Sequence, residues 1–203
     1  MQIDILTLGP LETNCYLLSS GSEAVVIDPG GDPEAILKLL DKKGLTLTHI
    51  LNTHLHLDHT YGNAGLAAAS GVKIQAGEGE KLISETQLVQ GGFYGLPMVD
   101  AYEWEPMKPG VHEMLGAVCE VRPTPGHSPG SLTFYFKDAG AAFVGDVIFK
   151  GSVGRTDFPG ASHSLLVESI RTQIFTLPED TVLYPGHGSS TTVKREMKSN
   201  PYA

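Results

Sequence analysis

The sequence is poor in cysteine and in positive charge, and it has no long apolar run. Its two cysteines, Cys15 and Cys119, stand far apart and form no CxxC pair. A thiolate metal knuckle is therefore not expected, and two free buried thiols in a reducing compartment are. Fourteen Lys and Arg against 23 Asp and Glu give 14 − 23 = −9. That balance argues against a polyanion-binding surface, so neither nucleic acid nor anionic membrane is an expected partner. No segment approaches eighteen uninterrupted apolar residues, so no transmembrane helix is expected. The opening "MQIDILTLGP" has no basic n-region and no long apolar stretch, so no signal peptide is expected and the expected location is cytoplasmic. Low-complexity segments and short-period repeats are lacking too.

What is present is an ordinary globular composition, 41% hydrophobic with 24 Gly and 13 Pro. At 203 residues the chain can bury a full core without disulfides, and one domain over 1–203 is expected. Short β-type runs at 3–8, 14–18 and 24–27 precede a helical "DPEAILKLLDKKG", with Asp32 at the N-cap, Pro33 in the first turn and Gly44 at its end. A strand at 47–51 follows, then a small-residue helix over "GNAGLAAASG", a strand at 72–76 and a helix over 78–90. Residues 91–110, rich in Gly, Pro and aromatics, read as a loop over a core or cleft, with Tyr94 and Trp104 either lining it or packed beneath it. Strands return at 117–122, 131–136, 141–145 and 181–184, with helices at 163–176 and from about 190. The pattern predicts an α/β domain of two sheets packed face to face with helices outside.

The chemistry concentrates in "THLHLDHT", residues 53–60, directly after a strand. In extended backbone His54 and His56 point to one side and can reach one ion, while Leu55 and Leu57 point into the core. Asp58 and His59 then turn into the next helical run, where they can serve a second ion. The alternative is a solvated His-rich turn, but three further ligand-type residues sit at strand ends: His127 in "TPGHSPGS", Asp146 in "FVGDVIF" and His187 in "YPGHGSS". Five imidazoles and two carboxylates are the inventory of a two-metal site. Asp28 reads as a turn former or a supporting residue, and His49, His112 and His163 lack ligand-type neighbours.

The succession "THLHLDH", "TPGH", "GD", "YPGHG" resembles the metallo-β-lactamase superfamily over nearly the whole chain. The resemblance implies an αββα sandwich with two divalent metal ions at one edge, zinc first, with iron and manganese as alternatives. It implies one ion on His54, His56 and His127, and another on Asp58, His59 and His187, with Asp146 bridging. Asp146 stands where the lactamases proper carry Cys or Ser, and His56 where the diiron oxygen reductases carry an acid. The superfamily's nucleases need an inserted domain that 203 residues cannot hold.

What remains resembles glyoxalase II of the short bacterial type, with "GPLETNCYLL", "GSVGRTDFPG" and "NPY" as further similarities. This implies hydrolysis of a small-molecule thioester, glutathione-linked in the manner of S-lactoylglutathione, by a hydroxide held between the metals, with Asp58 orienting it. Two departures are visible. Only residues 188–203 follow His187, whereas full-length glyoxalase II has a C-terminal helical domain. Arg155 and Asp157 stand where that enzyme offers Lys and Tyr to glutathione. Arg155 is the candidate for a substrate carboxylate, with a salt bridge to Asp157 as the equal alternative. Lys194, Arg195 and Lys198 read as a solvated helix face. "GRTDF" also resembles the persulfide dioxygenases, which would place one iron on His54, His127 and Asp146. A non-enzymatic metal-binding module is the third reading, and oligomeric state is left open.

Overall fold

The central strands are apolar along nearly their whole length rather than alternating, because both faces of each sheet are covered. The computed structural model, which describes residues 1–203, has two six-stranded sheets. The first runs β1 (Gln2–Leu8), β2 (Thr13–Ser20), β3 (Glu23–Ile27), β4 (Thr46–Leu51), β5 (Ile74–Gly77), β6 (Trp104–Met107) in spatial order. Pairing is antiparallel from β1 to β3 and parallel from β3 to β6. The second half contributes β7 (Gly110–Met114), β8 (Ala117–Pro123), β9 (Leu132–Phe136) and β10 (Ala141–Gly145). A small hairpin, β11 (Ile148–Phe149) with β12 (Ser152–Val153), stands apart, and β13 (Val182–Pro185) and β14 (Thr191–Thr192) complete the sheet. Its order is β14-β13-β10-β9-β8-β7, with β10 and β13 parallel.

The inner faces meet in one core. Tyr16, Leu18, Val25, Ile27 and Leu51 of the first sheet pack on Val121, Phe134, Phe136 and Phe143 of the second. The Tyr16 and Phe143 rings lie edge to face at 5.0 Å, and Phe143 stacks on Tyr184 at 5.0 Å. The outer face of the first sheet (Cys15, Leu17, Ala24, Val26) packs on α1 (Pro33–Lys43) and α2 (Asn63–Ser70). That of the second (Tyr135, Ala142, Val144, Leu183) packs on α4 (His163–Ser169), which continues as a π-helical stretch to Ile174, and on α5 (Val193–Ser199). A short α3 (Gln87–Gln90) lies between the halves of the chain. The result is an αββα sandwich in a single domain. Helix α1 is built as its sequence dictates: the Asp32 carboxylate accepts from the Glu34 amide at 2.9 Å, and Gly44 ends the helix at φ 64°. No helix is long and apolar enough to cross a membrane.

Four expectations need correction. The helix over 78–90 is instead a 3-10 turn (Glu78–Leu82) followed by the four-residue α3, because Glu80 turns inward and its carboxylate bonds other loops. The segment 91–110 is not all loop: Trp104–Met107 pairs with β5, a partner that sequence cannot supply. The last helix starts at Val193, after Thr191–Thr192 has paired with β13. Leu55 enters a core cluster as expected, but Leu57, though buried, borders the site cleft. Trp104 packs against the core, whereas Tyr94 is 97% exposed.

Candidate metal centre

Four strand ends open onto one edge of the sandwich. β4 ends at Leu51, and the following loop carries His54 and His56 before a 3-10 turn, Leu57–His59. The β8–β9 connection carries His127, Asp146 follows β10 directly, and His187 follows β13. The structure brings all seven sequence-predicted residues together. Three sets of donor atoms each lie within 4.8 Å of one another: His54 with His56 and His127, His54 with His59 and Asp146, and Asp58 with His59 and His187. The seven are buried or nearly so, with His187 the most open at 30% side-chain exposure.

The imidazoles are held with lone pairs facing inward. His127 Nδ1 donates to the Arg155 carbonyl at 2.8 Å, which leaves Nε2 free, 2.9 Å from His56 Nδ1. The Thr53 hydroxyl donates to Asp28 Oδ2 at 2.7 Å and the Thr53 amide to Asp28 Oδ1 at 2.7 Å. With its proton so placed, Thr53 Oγ1 accepts from His54 Nδ1 at 3.1 Å, and His54 Nε2 is buried with no partner. His59 Nδ1 lies 3.1 Å from Asp28 Oδ2, and its Nε2 lies 3.5 Å from both Asp58 Oδ2 and Asp146 Oδ1. Neither His59 nitrogen nor Asp146 Oδ1 makes an aligned hydrogen bond. Buried polar atoms are almost always satisfied, so this concentration of orphans fits cations as the missing partners. The Thr53 hydroxyl behind His54, the Asp28 carboxylate beside His59 and the Arg155 carbonyl behind His127 are also how metal-binding histidines are oriented.

Burial and the carboxylates divide the titrating groups into two sets. Burial, reinforced by neighbouring imidazoles, pushes His54 well below the ordinary histidine range, and burial with His127 beside it brings His56 to about 3. Burial also lowers His127. Burial acts against protonated His59 as well, but Asp58, Asp28 and Asp146 outweigh it and raise that imidazole well above its usual value. Burial would raise Asp58 and Asp146, yet His59 and the neighbouring imidazoles hold both lowered. Neutral imidazoles and ionised carboxylates are the forms that bind metal. His54, His56, His127 and the two aspartates are in those forms. His59 and His187, which Asp58 and Asp146 raise against the effect of burial, instead hold a proton that a bound cation would displace. Nitrogen and oxygen donors suit zinc, iron and manganese. The two thiols take no part: burial raises Cys119 to about 12 and Cys15 further, and both are free.

Several residues that support the site carried no readable signal. Thr13 donates to Asp58 Oδ2 at 3.1 Å, on the oxygen that also faces His187 Nε2 at 3.1 Å. Asn14 Nδ2 donates to the Pro185 and Gly188 carbonyls, and the Tyr16 hydroxyl to Pro185, tying the His187 turn to β2. Glu80 is fully buried and accepts from the Leu55 amide (2.8 Å), the Ser128 hydroxyl (2.6 Å) and the Gly130 amide (2.7 Å). Asp28, already read in the sequence as a turn former or a supporting residue, sits at φ 52°, a conformation unusual outside glycine that aims its carboxylate at Thr53 and His59. Arg155 takes the ion-pair alternative, reaching Asp157 with two hydrogen bonds at 2.6 and 2.7 Å. His49, His112 and His163 lie outside the three donor sets.

Comparison with known proteins agrees with this architecture. Residues 8–187 match the metallo-beta-lactamase superfamily. The hydroxyacylglutathione hydrolase GloC of Haemophilus influenzae is 36% identical over 207 aligned residues, covering 100% of this chain and 98% of that one. Among solved structures, the BLEG-1 B3 metallo-beta-lactamase superposes with a TM-score of 0.91 at 35% identity, covering 99% of each chain. TTHA1623 in a di-iron-bound form gives 0.89 at 36% identity, covering 98% of this chain and 100% of that one. With the fold, the seven converging residues and these likenesses in agreement, the chain belongs to the metallo-β-lactamase superfamily.

Proposed function

We propose that this protein is a metal-dependent thioester hydrolase of the glyoxalase II type. The observation that carries the reading is the pair of donor triplets, His54/His56/His127 and Asp58/His59/His187, with Asp146 beside both and orphaned lone pairs turned inward. In this reading those triplets would hold two divalent ions, zinc in the first instance, with Asp146, which lies 3.5 Å from His59 and 3.7 Å from His127 and His187, as a further ligand. Two such ions supply hydroxide at neutral pH and polarise a carbonyl. The chain's own part is positional. Asp58, fixed by Thr13 and His187, orients the attacking water, and the Arg155 carbonyl and the Thr53–Asp28 pair keep His127 and His54 in ligating tautomers. The likeness to GloC supports a glutathione-linked thioester such as S-lactoylglutathione as the first substrate to assay.

Asp58→Ala is the direct test. Loss of S-lactoylglutathione hydrolysis by at least about 100-fold is expected, with the thermal transition still cooperative. Near-normal turnover in that variant would overturn the role given to Asp58. A β-lactam is assayed in parallel, because the BLEG-1 neighbour is named a B3 metallo-beta-lactamase, and so is O2 uptake with glutathione persulfide.

A further inference from the structure

The site opens into a cleft of about 690 Å³ whose walls beyond the ligand residues are mainly apolar. Leu57, Leu88, Phe93, Leu96, Phe149 and Phe158 line it. Of these only Leu57 is fully buried; the others are half-exposed apolar groups facing one space. Apolar side chains gathered at a reactive site mark the chemistry of what is bound there.

One basic side chain outside the histidines, Arg155, reaches the cleft, and it is already engaged. Asp157 takes its guanidinium through two hydrogen bonds, and the plane lies over the Phe158 ring at 4.2 Å from the centroid. The pair carries no net charge, so a substrate carboxylate has to displace Asp157 to use it. The wall itself is built rather than loose. Gly91, Gly92, Tyr94 and Gly95 all adopt positive φ, the Val99 amide bonds the Gln90 carbonyl at 2.9 Å, and the Tyr61 hydroxyl bonds the Pro97 carbonyl at 3.2 Å. Three glycines that adopt positive φ freely and these hydrogen bonds shape the loop that sets Phe93 and Leu96 toward the site.

We propose that the cleft selects thioesters by an apolar, uncharged acyl arm, and that it does not read the carboxylates of the thiol carrier. This rests on the thioesterase reading for the reaction, but the recognition itself can be measured without turnover. The probes are non-hydrolysable thioethers titrated by calorimetry into the zinc-loaded protein. S-hexylglutathione is expected to bind about 30-fold more tightly than S-methylglutathione. That is roughly a doubling for each of the five added methylenes, about half of what full burial gives. S-hexyl-N-acetylcysteamine, which lacks the glutathione charges, is expected to bind within about threefold of S-hexylglutathione. Phe93→Ser should bring the hexyl-to-methyl ratio below about 10. Equal binding of the methyl and hexyl probes, or a loss of tenfold or more on removing the carrier's charges, would overturn the proposal. Should the probes discriminate as expected while neither S-lactoyl- nor S-hexanoylglutathione is hydrolysed, the cleft assignment stands and the thioesterase reading falls.

Discussion

Glu80 shows how much a single buried side chain does here. Its carboxylate joins the Leu55 amide, between His54 and His56, to Ser128 and Gly130, which follow His127 in its turn. Glu80→Ala leaves two buried amides unpaired, so destabilisation of about 2–4 kcal/mol is expected in urea unfolding. Metal content should fall with it, because His56 and His127 lose their common support. Ser128→Ala, which removes one hydroxyl partner, should cost about 1 kcal/mol; equal losses in the two variants would contradict the cross-link. None of this was legible in "GEGEKL", where Glu78 and Glu80 differ only by what folding brings to them. The histidines and aspartates of the site could be read because their residue types announce metal chemistry at close spacing. Thr13, Asn14, Thr53 and Glu80 could not, since threonine, asparagine and glutamate are common at surfaces and turns, and their roles exist only across long sequence separations.

At the scale of elements, the site depends on chain turns that admit no side chain. A Cβ on Gly186 would stand 2.2 Å from Asp146 Oδ1 and 2.6 Å from His59 Cε1. Gly186→Ala must therefore push Asp146 out of line. At least one metal equivalent should be lost on dialysis, with turnover down tenfold or more. Gly188→Ala, two residues on, meets nothing within 4 Å and serves as the control, strained only by its φ of 71°. If the two variants behave alike in metal content, the steric account of Gly186 is wrong. Strands and helices with strong local signals were readable: α1 has its cap, its proline and its terminal glycine, and β2, β3, β9 and β10 each carry a run of three or four consecutive apolar residues. The misread elements are those decided by distant partners. β6 exists through β5, the β11–β12 hairpin is too short to leave a pattern, and the helix over 78–90 yields to the inward turn of Glu80.

For the whole molecule, the clustered imidazoles and carboxylates link metal binding to stability. A ligand present at 1,000 times its Kd adds about 4 kcal/mol. In a domain of this size that corresponds to roughly 8–16 °C in Tm. Chelation should lower the thermal transition by that order, and zinc should restore it; an unchanged Tm would mean that the centre does not hold metal tightly. The αββα sandwich was foreseen through the family resemblance that the ligand motifs carry; the strand and helix pattern alone predicted an α/β domain of two facing sheets with helices outside. The shape of the cleft was not foreseeable, since its walls come from Leu57, α3, the following loop and the β11–β12 hairpin, which meet only in three dimensions.

The central claim, two ions acting together on a thioester, is tested by reloading metal-free protein in measured steps. Bound zinc per chain is quantified while S-lactoylglutathione hydrolysis is followed, and a second series uses iron with O2 uptake from glutathione persulfide. Hydrolysis is expected to rise to a plateau at two equivalents while O2 uptake stays at background. Full activity at one iron per chain, seen as stoichiometric O2 uptake with no thioester cleavage, would contradict the claim.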